Sequence, residues 1–94
     1  MDIQIQHEES GQKGAFFIDL NGKRVGEMTY VKAGDTRIII DHTEVGDELR
    51  GQGAGKKLVL AAVDMAREKG IKILPLCPFA KAVFEKTTEI QDVL

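Results

Sequence analysis

The stretch over residues 38–60 most constrains what this chain can fold into, because an apolar run is followed there by a glycine-rich segment and a helical pattern. The apolar run ends in polar residues 41–44 and is typical of a β-strand. Residues 50–55 are rich in glycine and lead directly into an amphipathic stretch, residues 56–69. A strand, a glycine-rich turn and a helix in this order direct several backbone N–H groups at one point, close to the positive end of the helix macrodipole. We therefore expect a phosphate or pyrophosphate site there.

The three glycines of this turn lack a Cβ atom, can adopt a positive φ and let a ligand approach the main chain. They are Gly51, Gly53 and Gly55. The segment is not a Walker A loop, because Arg50 and Lys57 occupy positions that require Gly and Ser or Thr. It is not a dinucleotide fingerprint, because Lys56 stands where the third glycine is needed. The alternative without function is a helix that simply begins after a flexible loop.

Composition and charge argue against several classes of function. We expect one small domain, residues 1–94, and a formal net charge of −2 gives no reason to expect nucleic acid or an anionic membrane as a partner. One cysteine and two histidines are too few for a structural zinc site, so we expect no metal. The single cysteine and a start unlike a signal peptide predict a cytoplasmic location.

Short apolar segments predict four strands ahead of the glycine-rich turn. The first has alternating isoleucines and polar residues, and a polar loop over residues 7–14 is expected to follow it. Asn21-Gly22 is a strong hairpin signal, since both residues tolerate the positive φ of a type I′ turn. Gly26 predicts a bulge or irregularity in the third strand. The four predicted strands, which form an antiparallel meander, cover residues 2–6, 15–20, 23–31 and 36–44.

The sequence pattern in the second half of the chain predicts a β-α-β unit. We predict a helix over residues 52–69 with Gly70 as a left-handed C-cap, then a fifth strand over residues 71–76. A right-handed crossover would place strands four and five parallel. Pro75 cannot donate a ladder hydrogen bond, so the two strands are expected to separate at their C-terminal ends and leave strand-four backbone groups free for a ligand.

A short second helix is expected over residues 78–86, because Pro78 is a favoured first helical residue. The tail, residues 87–94, is not assigned. The fold class predicted is α+β, with a mixed sheet of an antiparallel four-strand meander and a parallel β-α-β unit whose strands four and five are splayed.

Three separated motifs carry a resemblance to a known family. They read H-T-E-V at 42–45, G-Q-G-A-G-K-K-L-V at 51–59 and I-L-P-L-C-P-F-A at 73–80. Together they resemble the short stand-alone GNAT-like N-acetyltransferases of the GNAT superfamily. The resemblance implies acetyl-CoA (coenzyme A) in the cleft between the splayed strands, with its pyrophosphate on the glycine-rich loop. The implied cofactor-binding residues are Val45, Arg50, Gly51, Gln52, Gly53, Ala54, Gly55 and Lys56.

The chain departs from ordinary GNAT enzymes in two respects. Their helices between the first two strands help to form the acceptor site, and residues 7–14 leave no room for them. The acceptor site must therefore be open or completed by another chain. Many larger GNAT enzymes also use a tyrosine on the last helix to protonate the departing thiolate, whereas Tyr30 lies in the wrong region for that role.

Acetyl transfer needs a base for the amine, a donor for the oxyanion and a fate for the leaving thiolate. His42 is a candidate base, and Glu44 could act through water. With undisturbed alternation both share a face of strand four with Ile40, although a bulge would reassign the faces. The N–H near Val45 is a candidate oxyanion donor. Hydrogen bonding that only secures the strand end is the alternative role for the histidine and the glutamate.

Cys77 is the third catalytic candidate, since its location just before a helix N-terminus can lower a thiol pKa. It could protonate the leaving thiolate or accept the acetyl group transiently, or it could be a small buried core residue. Lys56 and Lys57 could add charge for phosphates or be ordinary solvated lysines. Met28, Tyr30 and Phe79 are predicted to be core residues.

The function predicted is an acetyl-CoA-dependent N-acetyltransferase acting on an amine of an unknown small molecule or protein, as a monomer or weak homodimer. The alternative is a non-catalytic acyl-CoA-binding or sensing module that works through a partner protein. A generic phosphate- or nucleotide-binding protein is the third possibility.

Overall fold

The computed structural model describes residues 3–94, and its sheet has five strands in the order β1-β2-β3-β4-β5. The strands are β1 Gln6–Ser10, β2 Lys13–Leu20, β3 Lys23–Ala33, β4 Arg37–Val45 and β5 Lys72–Pro75. The helices are α1 Ala54–Lys69 and α2 Pro78–Lys86, with 3₁₀ turns at Asp47–Leu49 and Thr88–Val93. The first four strands pair antiparallel and β4 pairs parallel with β5, which confirms the predicted fold class.

The first strand lies later in the chain than predicted. Residues 3–5 are not in a strand, Asp2 lies outside the described residues, and the supposed loop over residues 7–14 contains most of β1 and a tight turn at Gly11. Because β1 is an edge strand whose residues are all exposed, its sequence does not show the alternation of a half-buried strand. The turn still leaves no room for inserted helices.

The hairpin and the helix ends follow the sequence signals closely. Asn21 and Gly22 both have positive φ values, 52° and 81°, as a type I′ turn requires. Gly70 caps α1 in the left-handed region, with φ 68°. The irregularity predicted at Gly26 lies one residue away, because Ile18 pairs with Gly26 and Asp19 with Arg24, which leaves Val25 without a partner on β2.

The main core lies on one face of the sheet. Strand residues such as Ile18, Met28 and Ile40 pack there with Leu58 and Ala62 of α1, as the helical periodicity predicts. Helix α2 and the terminal 3₁₀ turn contribute to the same cluster. We call this the helix face. The other face, here the open face, has no helix over it among residues 3–94, and Arg24 covers the ring of Phe17 there at 3.7 Å.

Tyr30 and Met28 are buried, as predicted, but Phe79 is 44% exposed, so its assignment to the core is wrong. No helix within residues 3–94 is long and apolar enough to cross a membrane.

Candidate functional site

The glycine-rich loop joins the end of the Asp47–Leu49 turn to the start of α1. Gly51 and Gly53 have φ values of 77° and 66°, so both occupy the left-handed region that glycine adopts without strain. Helix α1 begins at Ala54, two residues later than predicted, because Gly53 is its N-cap. Gln52 therefore belongs to the turn, where its amide donates to the carbonyl of Leu49 at 3.2 Å.

The backbone amides of this loop are the clearest feature of the site. The Lys57 amide donates to the Gly53 carbonyl at 3.1 Å, and no side chain caps the helix N-terminus. The following amides have no hydrogen-bond acceptor within residues 3–94: Gly51, Gly53, Ala54, Gly55 and Lys56. Unpaired amides at the positive end of a 16-residue helix are suited to an anion such as a diphosphate.

The charged side chains of the loop are exposed. Arg50 Nη2 lies 3.0 Å from Asp47 Oδ1, in an ion pair whose two side chains are both highly exposed. Such pairs contribute about 0–1 kcal/mol, so a phosphate could displace Asp47. Lys56 is exposed in the first turn of α1. The side chains can therefore add charge to the site, but the fixed geometry comes from the backbone.

Gly55 does not have the role that the glycine pattern suggests. It lies within α1 and has no positive φ. A Cβ atom at this position would overlap the ring of Phe79 from α2, with Cε1 only 2.6 Å away. The missing side chain thus accommodates Phe79 and is not needed for a left-handed backbone.

Strands β4 and β5 separate beside this loop. Their pairing ends at Ile40 and Pro75, and the amides of Leu76 and Cys77 both donate to the Ile40 carbonyl, at 3.0 and 3.1 Å. Beyond this point, within the described part of the chain, residues 42–45 of β4 pair only with β3. The gap leaves one edge of β4 without a neighbouring strand within residues 3–94, as predicted, but the reason given from Pro75 is wrong. The amides of Lys72 and Leu76 donate to β4, so the missing N–H of Pro75 faces the outer edge of the sheet.

A bulge decides which side chains of β4 face the helices. Thr29 pairs with His42 and Tyr30 with Ile40, so Asp41 is the extra residue. The undisturbed alternation that grouped Ile40 with His42 and Glu44 is therefore wrong. After the bulge Thr43 faces the helices together with Ile40. The side chains of His42 and Glu44 lie on the open face.

Cys77 lies on the helix face, at the point where β4 and β5 part. It is the N-cap residue of α2 and is 5% exposed. Its Sγ donates a hydrogen bond to Thr43 Oγ1 at 3.3 Å. Burial by itself raises the pKa of the thiol, but the thiolate is stabilised as an acceptor by the Thr43 hydroxyl and by the amides of Ala80, Phe79 and Thr43, and the net pKa is lowered.

The other two catalytic candidates lie together on the open face. His42 Nε2 is 3.7 Å from Glu44 Oε2, and both side chains are exposed. The bulge separates this pair from Cys77, which contacts Thr43 on the opposite side of the strand. The structure thus brings His42 and Glu44 together but does not join them to the cysteine.

The Val45 amide faces the gap. The neighbouring Gly46 amide donates to the Val25 carbonyl on β3 at 2.7 Å. Successive strand amides point to opposite edges, so the Val45 N–H points to the side that β5 has left. The Thr43 amide, two residues earlier, points the same way and meets the Cys77 thiol.

The hydroxyl of Tyr30 makes its contacts with β1, away from this gap. Its hydroxyl donates to Glu9 Oε2 at 2.9 Å and contacts His7 Nε2, both on β1. Burial and the Glu9 hydrogen bond raise its pKa. The tyrosine therefore joins the outer strand to the core, in agreement with the prediction that it cannot serve a departing thiolate.

Comparison with known proteins agrees with this geometry. Residues 15–93 match the family model described as GCN5-related N-acetyl-transferase. The chain belongs to that family.

A named animal protein and a solved bacterial structure are both similar to this chain over most of its length. Protein NATD1 of Mus musculus is 33% identical over 76 residues, which span 80% of this chain and 67% of that protein. An NMR solution structure of a GCN5-like protein from Staphylococcus aureus is 44% identical, with a TM-score of 0.72 over 94% of this chain and 85% of that one. The family and fold are therefore those of GCN5-related acetyltransferases.

One structural neighbour contains the cofactor. A GNAT family acetyltransferase from Elizabethkingia anophelis, with acetyl-CoA bound, has a TM-score of 0.63 at 14% identity, over 78% of this chain and 63% of that one. This likeness concerns the fold alone. In the GCN5-related chain described here, the groups that fit the diphosphate of such a cofactor are the amide of Gly51 and those of residues 53–56.

Two residues of this GCN5-related site were missed by sequence reasoning. Thr43 was not a candidate, because no feature of the sequence predicts the bulge that turns its side chain towards Cys77. Phe79 was assigned to the core, although its ring lies against Gly55 at the start of α1. Pro78 marked the start of α2, but only the packing of the two helices shows where the next ring points.

Proposed function

We propose that this protein transfers the acetyl group of acetyl-CoA to an amine. The observation that carries the proposal is the set of five loop amides without an acceptor, beside the gap between β4 and β5. The amides would hold the diphosphate, and the gap would admit the thioester end. Arg50 and Lys56 would add positive charge, while Gln52 and Ala54 would shape the turn.

The chemistry proposed for the gap uses both faces of β4. The Val45 N–H would donate to the carbonyl oxygen as it gains charge. Hydrogen bonds that lower its pKa favour Cys77 as a thiolate nucleophile, so its Sγ would form a bond to the acetyl carbon while the bond to the coenzyme sulfur breaks. The amine would then attack from the open face and form the amide, with its proton passing to His42 or, through water, to Glu44, as the Cys77 thiolate leaves.

Calorimetric titration with coenzyme A tests the binding step. We expect Gly51→Ala and Gly53→Ala each to weaken binding about tenfold, because each adds a Cβ in the left-handed region of the loop and displaces the amides. Gly34→Ala is the matched control, since Gly34 also has a positive φ, 70°, and open space around it, but lies in the turn at the opposite end of β4.

The control should lose similar stability and keep its affinity for coenzyme A. Absence of any measurable binding by the wild-type protein would contradict the proposal. ATP in the same titration tests the generic phosphate-binding alternative, which predicts that ATP binds as well as coenzyme A.

A non-catalytic acyl-CoA-binding module is the second candidate, favoured by the exposure of the His42–Glu44 pair. Within residues 3–94 neither side chain has a further hydrogen-bond or ion-pair partner that would hold it in place, which is unusual for a catalytic base. Thiol release from acetyl-CoA with a panel of amines separates the two functions, because the module would bind the cofactor without turnover.

A further inference from the structure

Phe79 connects the two parts of the proposed site. Its ring lies where a Cβ atom of Gly55 would be, against the first turn of α1 that carries the free amides. Phe79 also lies two residues after Cys77, in the first turn of α2. One residue therefore reaches from the phosphate loop to the cysteine at the strand gap.

The ring is held in place but is not covered. It is 44% exposed, although its edge packs against the backbone at Gly55. The other exposed large apolar side chains, Leu74, Leu76 and Leu94, line a separate cavity at the outer edge of β5. Phe79 thus presents an isolated apolar surface between the place for a diphosphate and the place for a thioester.

We propose that Phe79 is a specificity-determining residue that packs against the pantetheine arm of coenzyme A. The inference rests on the proposed function, because that function puts the diphosphate at the loop and the thiol near Cys77. The arm joining these groups must then cross the region that the ring occupies. A nucleotide with the same diphosphate but no arm gains nothing from the ring, so Phe79 would favour the thiol cofactor.

The test compares two ligands on Phe79→Ala by calorimetry. Coenzyme A carries the arm, whereas 3′-phospho-ADP keeps the adenosine, the 3′-phosphate and the diphosphate but lacks it. We expect coenzyme A to bind about tenfold more weakly or worse, since the contact area of an aromatic side chain is lost. The affinity for 3′-phospho-ADP should change less than twofold.

Leu76→Ala is the matched control, because Leu76 is also exposed, at 60%, and lies three residues before Phe79 but faces the other cavity. It should change neither affinity more than twofold. Thermal unfolding of each variant verifies that the fold is intact.

Gly55→Ala gives an independent approach. The added Cβ would displace the Phe79 ring while leaving the Gly55 amide in place. We expect this variant to lose affinity for coenzyme A selectively, as Phe79→Ala does. In the double variant the clash is absent and the ring is already gone, so the losses should not add.

Equal weakening of both ligands by Phe79→Ala would overturn the inference, since the ring would then only support the loop. An unchanged affinity for coenzyme A, or additive losses in the double variant, would overturn it as well. In those cases binding of coenzyme A by the wild-type protein would still support the proposed function. If the wild-type protein binds no coenzyme A, both proposals fail together.

Discussion

The two faces of the C-terminal part of β4 differ sharply. On the helix face Thr43 meets a buried thiol that has several hydrogen-bond partners and a lowered pKa. On the open face His42 and Glu44 are exposed, and their side chains form an ion pair at 3.7 Å. One short segment of strand thus has a preorganised side and an adaptable side.

The difference teaches which part of the proposed chemistry is built into the fold. The helix face is fixed by the β4 bulge and by the start of α2, so its donors need no rearrangement when charge develops. Within residues 3–94 no helix covers the open face to complete an acceptor site. We infer that the thioester half of the reaction is specified by this chain and that the amine half depends more on what the acceptor supplies.

The largest effect is expected for Cys77, on the preorganised face. Cys77→Ala should lower the rate of acetyl transfer roughly a hundredfold or more, because the nucleophile is lost. Rates of thiol release and the intact mass of the protein after a short reaction, which should show an acetyl adduct only with Cys77 present, are the measurements.

Cys77→Ser is the control for the capping role of this residue. Serine is a preferred N-cap, so the variant should keep its stability and its affinity for coenzyme A while remaining almost inactive. Full turnover in Cys77→Ser would show that the cysteine only caps α2. The contrast between the two faces would then say nothing about catalysis.

A smaller loss is expected on the open face. His42→Ala and Glu44→Ala should each reduce turnover about tenfold. This loss is smaller than is usual for a well-positioned base, because water readily replaces exposed groups. Steady-state rates with a small amine provide the measurement, and added imidazole should partly restore His42→Ala. A loss as large as that of Cys77→Ala would remove the proposed asymmetry.

The pH dependence of thiolate formation at Cys77 tests the hydrogen bonding on the helix face. Because the pKa of Cys77 is lowered, its thiolate should form at lower pH than that of a free cysteine. Thr43→Val removes a hydrogen-bond partner and should raise the pKa, whereas Thr43→Ser should not. The ultraviolet absorbance of the thiolate against pH measures both. A titration unchanged in Thr43→Val would contradict the assigned contact.

The smallest effect on activity is expected for Tyr30. Tyr30→Phe should leave turnover unchanged, since the hydroxyl contacts Glu9 and His7 on the outer strand. Stability to urea should fall by about 1 kcal/mol for the lost hydrogen bonding. A fall in turnover without a fall in stability would give the tyrosine a role that its position does not explain.

Much of this fold could be predicted from local signals. Asn21-Gly22 specified a turn, Gly70 ended a helix, and Pro78 began the next, because each of these residues restricts or extends the backbone angles at its own position. The separation of β4 and β5 was predicted too, but Pro75 is not its cause, since Lys72 and Leu76 donate to β4 and the missing N–H of Pro75 therefore faces the outer edge of the sheet. The edge strand β1 was misplaced because its residues bury no face.

The sequence by itself determined the order of the elements and the position of the glycine-rich loop, since periodicity, proline and glycine act through local backbone geometry. The tertiary structure alone decided which side chains meet. The bulge at Asp41 turned Thr43 towards Cys77, and the packing of α2 on α1 assigned the space beside Gly55 to Phe79. Both results depend on contacts between residues distant in the chain, and no local pattern of letters records them.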